Sequence, residues 1–270
     1  MKMSNPRKPH RLCAEVHGGT LVLRLNRPAV SNAIDLALLA DIDAAIRRAE
    51  DDNEVKVVII TGEGQNFSVG ADLKEVESIQ SPEDFNLFFS RFHRVYDRIE
   101  SMEKPTIAAI NGLALGGGCE LCLACDIRIA ASNASLGLPE ITLGTLPGAG
   151  GTQRLPRLIG PSRALEMLYT GGTLDAEEGY IMGLINRVVG PDKIMDEALA
   201  LASNIGAKSS MALRMAKVLV RDGLKMDIEA ALTFEKQSVI KLSTSPDSRD
   251  RMKAFAAKRK AKAGEGSEDK

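Results

Sequence analysis

Two carboxylates stand on glycine-rich stretches of this chain: Glu120, directly after Gly116-Gly117-Gly118-Cys119, and Glu140, at the opening of a loop rich in Gly and Pro. A third glycine-bearing loop, Gly62 to Asp72, contains Gly70-Ala71. Paired carboxylates suit general acid–base work, because unequal environments separate their pKa values. Backbone N–H groups from two glycine-lined turns could polarise a carbonyl and hold the resulting enolate oxygen. Such chemistry fits activation next to a thioester, and it requires the three loops to meet. Taken singly, each acid has a plainer reading: Glu120 as an exposed helix acid, Glu140 as a loop acid capping nearby amides.

The elements that would position these groups follow from pattern. The stretch Pro105 to Glu120 begins as an apolar run, read as a buried strand; Asn111-Gly112 breaks it, and the triple glycine leads towards a helix. Three consecutive glycines are costly in backbone entropy, and here they would let a ligand approach the main chain where free N–H groups attract negative charge. Upstream, Leu12 to His17 and Thr20 to Leu25 read as a hairpin around Gly18-Gly19. Apolar residues recur at helical spacing from Ile34 to Glu50, and Val55 to Thr61 is a β-branched run read as a buried strand. Ser81-Pro82 marks a helix start, followed by Phe85, Phe88, Phe89, Phe92, Val95, Tyr96 and Ile99, an aromatic stripe for core packing or a subunit contact. Asp126 to Ala130 and Ala134 to Gly137 read as strands, and Asn186 to Val189 as another. Helices are expected over 192–205, 210–221, 226–242 and 246–262. Strands early and helices late give a β/α core with a helical C-terminal part.

Composition narrows the function. The formal net charge of -1 makes no global electrostatic case for nucleic acid, and the absence of Trp argues against an aromatic nucleic-acid platform. No apolar run approaches a membrane span, and Met1 to Arg11 is polar with two prolines, so a cytoplasmic protein is expected. Cys119, Cys122 and Cys125 superficially suggest an iron–sulfur run, but a suitably spaced fourth ligand is missing; residues three apart share a helix face and read as small buried hydrophobes. His10, His17 and His93 are scattered, so no metal site is expected. Neither G-x-x-x-x-G-K-[ST], nor a dinucleotide G-x-G-x-x-G between a first strand and helix, nor a G-x-S-x-G elbow occurs.

A set of motifs in a fixed order remains: Leu25-Asn26-Arg27-Pro28 with Asn32-Ala33; Phe67-Ser68-Val69-Gly70-Ala71-Asp72-Leu73-Lys74; Lys104-Pro105 through Glu120; Asp126; Pro139-Glu140 through Gly151-Thr152-Gln153-Arg154-Leu155; and Ala254-Phe255 with Lys258-Arg259-Lys260. With these, the chain resembles the crotonase (enoyl-CoA hydratase/isomerase) superfamily from about Leu12 to Lys260, and most of all the enoyl-CoA hydratases. The resemblance implies an α/β fold: a crotonase-like spiral of ββα turns with a C-terminal helical trimerisation region. It implies a core over 12–200, a helical oligomerisation region over 201–262, and flexible tails at 1–11 and 263–270. A homotrimer or homohexamer follows from the same likeness.

By motif position the resemblance makes the amides of Ala71 and Gly117 an oxyanion hole, Glu120 the activator of water and Glu140 the proton donor to the α carbon. Gly148 would line the pocket, Ala29, Val30 and Ser31 with Ser68, Gly70, Asp72, Leu73 and Lys74 would hold the CoA portion, and Lys258 would lie near the CoA phosphates. The family often has Lys where this chain has Ala29. Lys258 has an equal reading as part of a solvated basic run, and Asp72 reads as the cap of a local turn. The implied activity is hydration of a trans-2-enoyl-CoA to the 3-hydroxyacyl-CoA in fatty acid metabolism, with CoA as part of the substrate and no cofactor. Alternatives are hydration of 3-methylglutaconyl-CoA with RNA binding, which the charge balance does not favour, enoyl-CoA isomerisation, and a catalytically idle oligomeric scaffold.

Overall fold

The computed structural model describes residues 10–265. The chain opens with the expected hairpin, β1 (Leu12–His17) and β2 (Thr20–Leu25), paired antiparallel with Leu12 opposite Leu25. From β2 onward the sheet is parallel: β3 (Val57–Gly62), β4 (Thr106–Ile110), β6 (Ile127–Ala131) and β9 (Arg187–Val189) follow in the order β1-β2-β3-β4-β6-β9. A strand covered on both faces needs apolar residues throughout, and every residue of β3 and β4 is buried.

After β4 and β6 the chain turns into a short second strand, β5 (Leu113–Leu115) and β7 (Ser135–Gly137), which join β8 (Thr173–Asp175) in a three-stranded sheet. Isolated parallel bridges, Ile34 to Ala71 and Ser68 to Ala114, continue this pattern towards the N-terminus. Each strand-strand pair is followed by a helix: α4 (Gly117–Ala124) after β5, and α5 (Gly151–Ile159) with α6 (Pro161–Thr170) after β7. That is the spiral of ββα turns the resemblance implies.

The two faces of the large sheet have different partners, because successive residues of a strand point to opposite sides. Leu23, Val58, Ile60, Ala108 and Ile110 join the main core with α1 (Leu36–Asp51) and α3 (Pro82–Ser101). Val22, Val57, Ile59, Ile107 and Ile129 pack instead with Ile194, Ala198 and Ala202 of α8 (Ile194–Gly206). Helix α1 starts at Leu36 rather than Ile34, since the Asp35 carboxylate accepts the Leu38 N–H at 2.8 Å while Ile34 is engaged with Gly70 and Asp72. Two short helices and two strands carry no expectation from pattern: α2 (Leu73–Ser78), α7 (Ala176–Ile181), β5 and β8.

Helix α4 is buried over its whole length. Its C-terminal carbonyls are answered by Arg128, itself buried, whose guanidinium donates to Cys125 O at 2.7 Å, Cys122 O at 3.3 Å and Leu184 O at 2.7 Å. Cys119, Cys122 and Cys125 are buried free thiols in and just beyond this helix, and burial pushes the Cys119 and Cys122 thiols upward.

The chain divides into two compact units, Met1–Gly206 and Ala207–Lys270, so the boundary expected after residue 200 falls inside α8 and is shifted to its end. The second unit contains α9 (Ser210–Gly223), α10 (Ile228–Ser243) and α11 (Pro246–Glu265). Ser209 and Asp227 cap the first two of these through the N–H groups of Ala212 and Ala230. His10 and Arg11 are tied to the fold, as Asn26 donates to both of their carbonyls and Arg11 pairs with Asp35, and α11 continues to Glu265; the rest of both tails lies outside the described residues. No helix among the described residues is long and apolar enough to cross a membrane.

Candidate active site

Two backbone amides set the centre of the site. Gly116, at φ 51° and ψ −127°, turns the chain from β5 into α4, and only glycine adopts that conformation without strain. Across from it, Ile34 donates to Gly70 O at 2.7 Å and accepts from Asp72 N at 3.0 Å, which aims the intervening Ala71 N–H the other way. A Cβ built on Gly117 would lie 3.4 Å from Ala71 N, so the two amides stand side by side. Neither N–H donates to another group among the described residues. Both line a cavity of about 210 Å3.

The two carboxylates open onto the same cavity, in different environments. Glu120, only 2% exposed, lies in the first turn of α4. Its Oε1 accepts from Ala149 N at 2.7 Å and Gly151 N at 2.8 Å. Burial pushes its pKa up, opposed by those two amides and by the charge of Arg154. Glu140, in a 3-10 turn from Pro139 to Leu143, places Oε1 3.1 Å from where a Cβ on Gly116 would sit. Its Oε2 is buried without a hydrogen-bond partner among the described residues. Burial, with a smaller contribution from the Glu120 charge, raises Glu140 to about 7. One carboxyl is therefore solvated by fixed amides, while the other favours its protonated form near neutrality.

Arg154 holds the loop that holds Glu120. Its guanidinium donates to Ala149 O at 2.8 Å, to Glu100 at 2.7 and 2.9 Å, and to Asp97 at 2.6 Å, fastening the loop to α3. From the same helix, the buried Tyr96 hydroxyl donates to Gly117 O at 2.7 Å. Asn32 locks the third loop, its amide donating to Glu63 O at 2.9 Å and Asn66 O at 2.8 Å. These three positioning residues had no assigned role in sequence: Arg154 and Asn32 stood inside quoted motifs, and Tyr96 inside the aromatic stripe. Phe88, Phe92, Val95, Tyr96 and Ile99 of that stripe are core, with Phe89 packed against it, and Phe88, Phe89 and Phe92 also wall the cavity.

Of the sequence candidates, Ala71, Leu73, Gly117, Glu120, Glu140 and Gly148 line this one cavity. Gly70 lies directly behind the amide pair. Ser68 is fully buried and its hydroxyl is occupied, donating to Asn32 O at 2.8 Å and accepting from Gly70 N at 3.1 Å; it shapes the loop and does not face the cavity. Asp72 caps α2 through Lys74 N at 3.2 Å and pairs with Arg27 at 3.0 Å. Ala29 and Val30 are exposed in a 3-10 turn, Ser31 accepts from Asn66 at 3.1 Å, and Lys74 is exposed at the start of α2. The side chain of Lys258 lies outside the described residues. Among the described residues no group of three or more His, Cys, Asp and Glu could hold a metal ion.

The pKa of Glu140 gives two pH dependences. If its protonated form is the working acid, kcat/KM should fall as pH rises through about 7. Stability follows the same group: unfolded, Glu140 titrates near ~4.3, so the native state holds the extra proton between that value and about 7. The wild-type fold is thus fully stable with respect to this group below ~4.3 and loses stability as pH rises through about 7. Glu140→Gln should melt roughly 2–4 °C above wild type at pH 8, allowing for partial exposure of the group. The gap should close at pH 4, and thermal melts at the two pH values check both signs.

A β/α spiral thus brings two side-by-side backbone amides and two carboxyl groups around one apolar cavity, the layout expected of the sequence candidates. Comparison with known proteins makes the class specific. The family model described as enoyl-CoA hydratase/isomerase matches residues 15–265. A crotonyl-CoA hydratase of Syntrophomonas wolfei is 43% identical over 89% of this chain and 92% of its own length. A short-chain-enoyl-CoA hydratase of Clostridium acetobutylicum is 41% identical over 91% of this chain and 94% of its own. The solved enoyl-CoA hydratase of Bacillus anthracis superposes with a TM-score of 0.89 at 39% identity, covering 92% of this chain and 97% of that one. The chain belongs to the enoyl-CoA hydratase/isomerase family.

Proposed function

We propose that the protein is an enoyl-CoA hydratase, a hydro-lyase that adds water across the double bond of a trans-2-enoyl-CoA. The observation that carries this reading is the pair of glutamates on one cavity with the Ala71 and Gly117 amides, Glu120 held through Oε1 by two backbone N–H groups and Glu140 with its Oε2 unpartnered among the described residues. Both amides donate to the thioester oxygen, drawing electron density from the β carbon. The Glu120 carboxylate, held through Oε1, takes a proton from water as the water oxygen bonds to that carbon. Negative charge collects on the thioester oxygen, where the amides hold it. Protonated Glu140 then delivers its proton to the α carbon as the carbonyl re-forms. The enzyme leaves this step with Glu120 protonated and Glu140 ionised, and proton exchange with solvent restores both.

The hydratase names of relatives near 40% identity support this over the isomerase and 3-methylglutaconyl-CoA alternatives. The terms crotonyl and short-chain in those names support a short acyl group. A metal or redox cofactor has no part in the steps above, so a chelator should leave the rate unchanged. The test is a spectroscopic assay of crotonyl-CoA, following loss of the conjugated enoyl thioester absorbance. No loss, with folded protein and measurable CoA-thioester binding, would refute the reading.

Assembly as a homotrimer or homohexamer belongs to the same proposal. It is supported by large apolar side chains left exposed on the helices of the second unit, among them Val220, Ile228, Ile240 and Phe255. Light scattering at assay concentration should report three or six chains; a fully active monomer would oppose it.

A further inference from the structure

We propose that Phe89, packed against Gly148, is the floor of the acyl pocket and sets the longest acyl chain the enzyme accepts. The inference rests on the hydratase reading and specifies its substrate class as short enoyl thioesters.

The argument begins at the oxyanion amides. A Cβ on Gly117 would lie 3.7 Å from Cε1 of Phe92, so the ring nearest the amide pair is that of Phe92. Phe92 contacts Phe88 with ring centroids 5.0 Å apart, and Phe88 meets Phe89 edge-on at 5.5 Å. Phe89 stacks in turn on Phe85 at 6.2 Å. Phe92, Phe88 and Phe89 form a continuous wall of the cavity along α3 that begins beside the Gly117 amide. Phe89 closes the run against the opposite loop: a Cβ on Gly148 would lie 2.2 Å from Cε1 and 2.5 Å from Cδ1 of its ring.

A side chain at 148 would therefore have to displace the Phe89 ring, which occupies the volume it would take. The next residue, Ala149, donates the N–H that holds Glu120. An acyl tail that passes the two carboxylates thus meets Phe89 where the wall and the loop touch. The cavity volume of about 210 Å3 is below the ~300–1,000 Å3 usual for small-molecule sites, as expected of a pocket closed by one large side chain.

The ring can be removed without touching either carboxylate or either amide. The readout is the ratio of kcat/KM for the ten-carbon trans-2-enoyl-CoA to that for crotonyl-CoA. In the wild type this ratio should lie below about one tenth, and Phe89→Ala should raise it at least ~10-fold, the scale on which hydrophobic pockets discriminate chain length. Phe89→Leu, gentler on the α3 core, should raise it in the same direction. Gly148→Ala should depress hydration of crotonyl-CoA, and combination with Phe89→Ala should restore part of the loss, since the added methyl then has the space of the ring. A ratio unchanged in both Phe89 variants, with crotonyl-CoA still hydrated, would overturn the floor while leaving the hydratase reading intact. A wild type equally fast on four- and ten-carbon substrates would do the same. A wild type that hydrates neither would overturn the function and this inference together.

Discussion

Glu120→Gln and Glu140→Gln are each expected to lower kcat for crotonyl-CoA hydration by about 10²–10⁴-fold, the usual contribution of a positioned general acid or base. Glutamine keeps the size and polarity of both side chains. At position 120 its amide oxygen can still accept from Ala149 and Gly151, so the loop before α5 should stay in place. What is lost is the ability to take a proton from water. At position 140 the carboxyl has no hydrogen-bond partner on Oε2 among the described residues, and the substitution removes a proton donor poised at about 7. Contacts to the thioester oxygen through Ala71 and Gly117 are untouched, so KM should change far less than kcat. The double variant should lose much less than the product of the two single losses, because both residues serve one transition state. Steady-state kinetics of the three variants, with thermal melts to show folding, test this. A single variant with near wild-type kcat would mean that the paired-carboxylate mechanism is wrong. If only Glu140→Gln were inactive, and towards a 3-enoyl substrate, isomerisation would replace hydration.

Gly70→Ala is expected to cost about 10²–10³-fold in kcat, comparable with removing one oxyanion donor. Gly70 sits at φ 93°, and an added Cβ would lie 2.8 Å from both Gly117 N and Leu115 O. Both obstacles are main-chain atoms, so no rotamer change relieves them; the loop bearing Ala71 and the turn bearing Gly117 must separate. The two amides would then no longer converge on one oxygen. Backbone strain at a left-handed position also costs of order 1–3 kcal/mol in stability, and a control separates the two effects. Gly183 has φ 80° with nothing within 4 Å of its hypothetical Cβ. Gly183→Ala should therefore lose stability while keeping kcat near wild type. Should Gly70→Ala also keep its kcat, the amide pair is not the oxyanion site.

Much of this was legible in sequence where the physical signal is local. The strands Val57–Gly62 and Thr106–Ile110 are apolar throughout because both faces are covered, and Ser81-Pro82 announces α3 with a cap that the structure forms through Asp84 N. Helix α2 escaped because it buries none of its six residues, leaving no apolar period to read. Strand β5 escaped because three residues inside a glycine-rich run are too few to show alternation. Glu120 and Glu140 could be found from motif and chemistry. The convergence of Ala71 with Gly117 could not be derived from spacing, since an amide donor has no side-chain signature. Arg154 was equally silent: its role depends on α5 returning to Glu100 on α3, a contact spanning 54 residues.

The buried guanidinium of Arg128 has an electrical consequence for the other end of α4. A helix is a small dipole, positive at its first N–H groups and negative at its last carbonyls. Here the negative pole is answered by a cation inside the protein, through Cys122 O and Cys125 O, while the positive pole opens on the cavity at Gly117. Both poles lie where solvent screens them poorly. The helix and Arg128 thus give the amide end of the cavity a fixed positive contribution that the proton transfers of Glu120 and Glu140 do not alter, and a developing anion there meets a potential already in place.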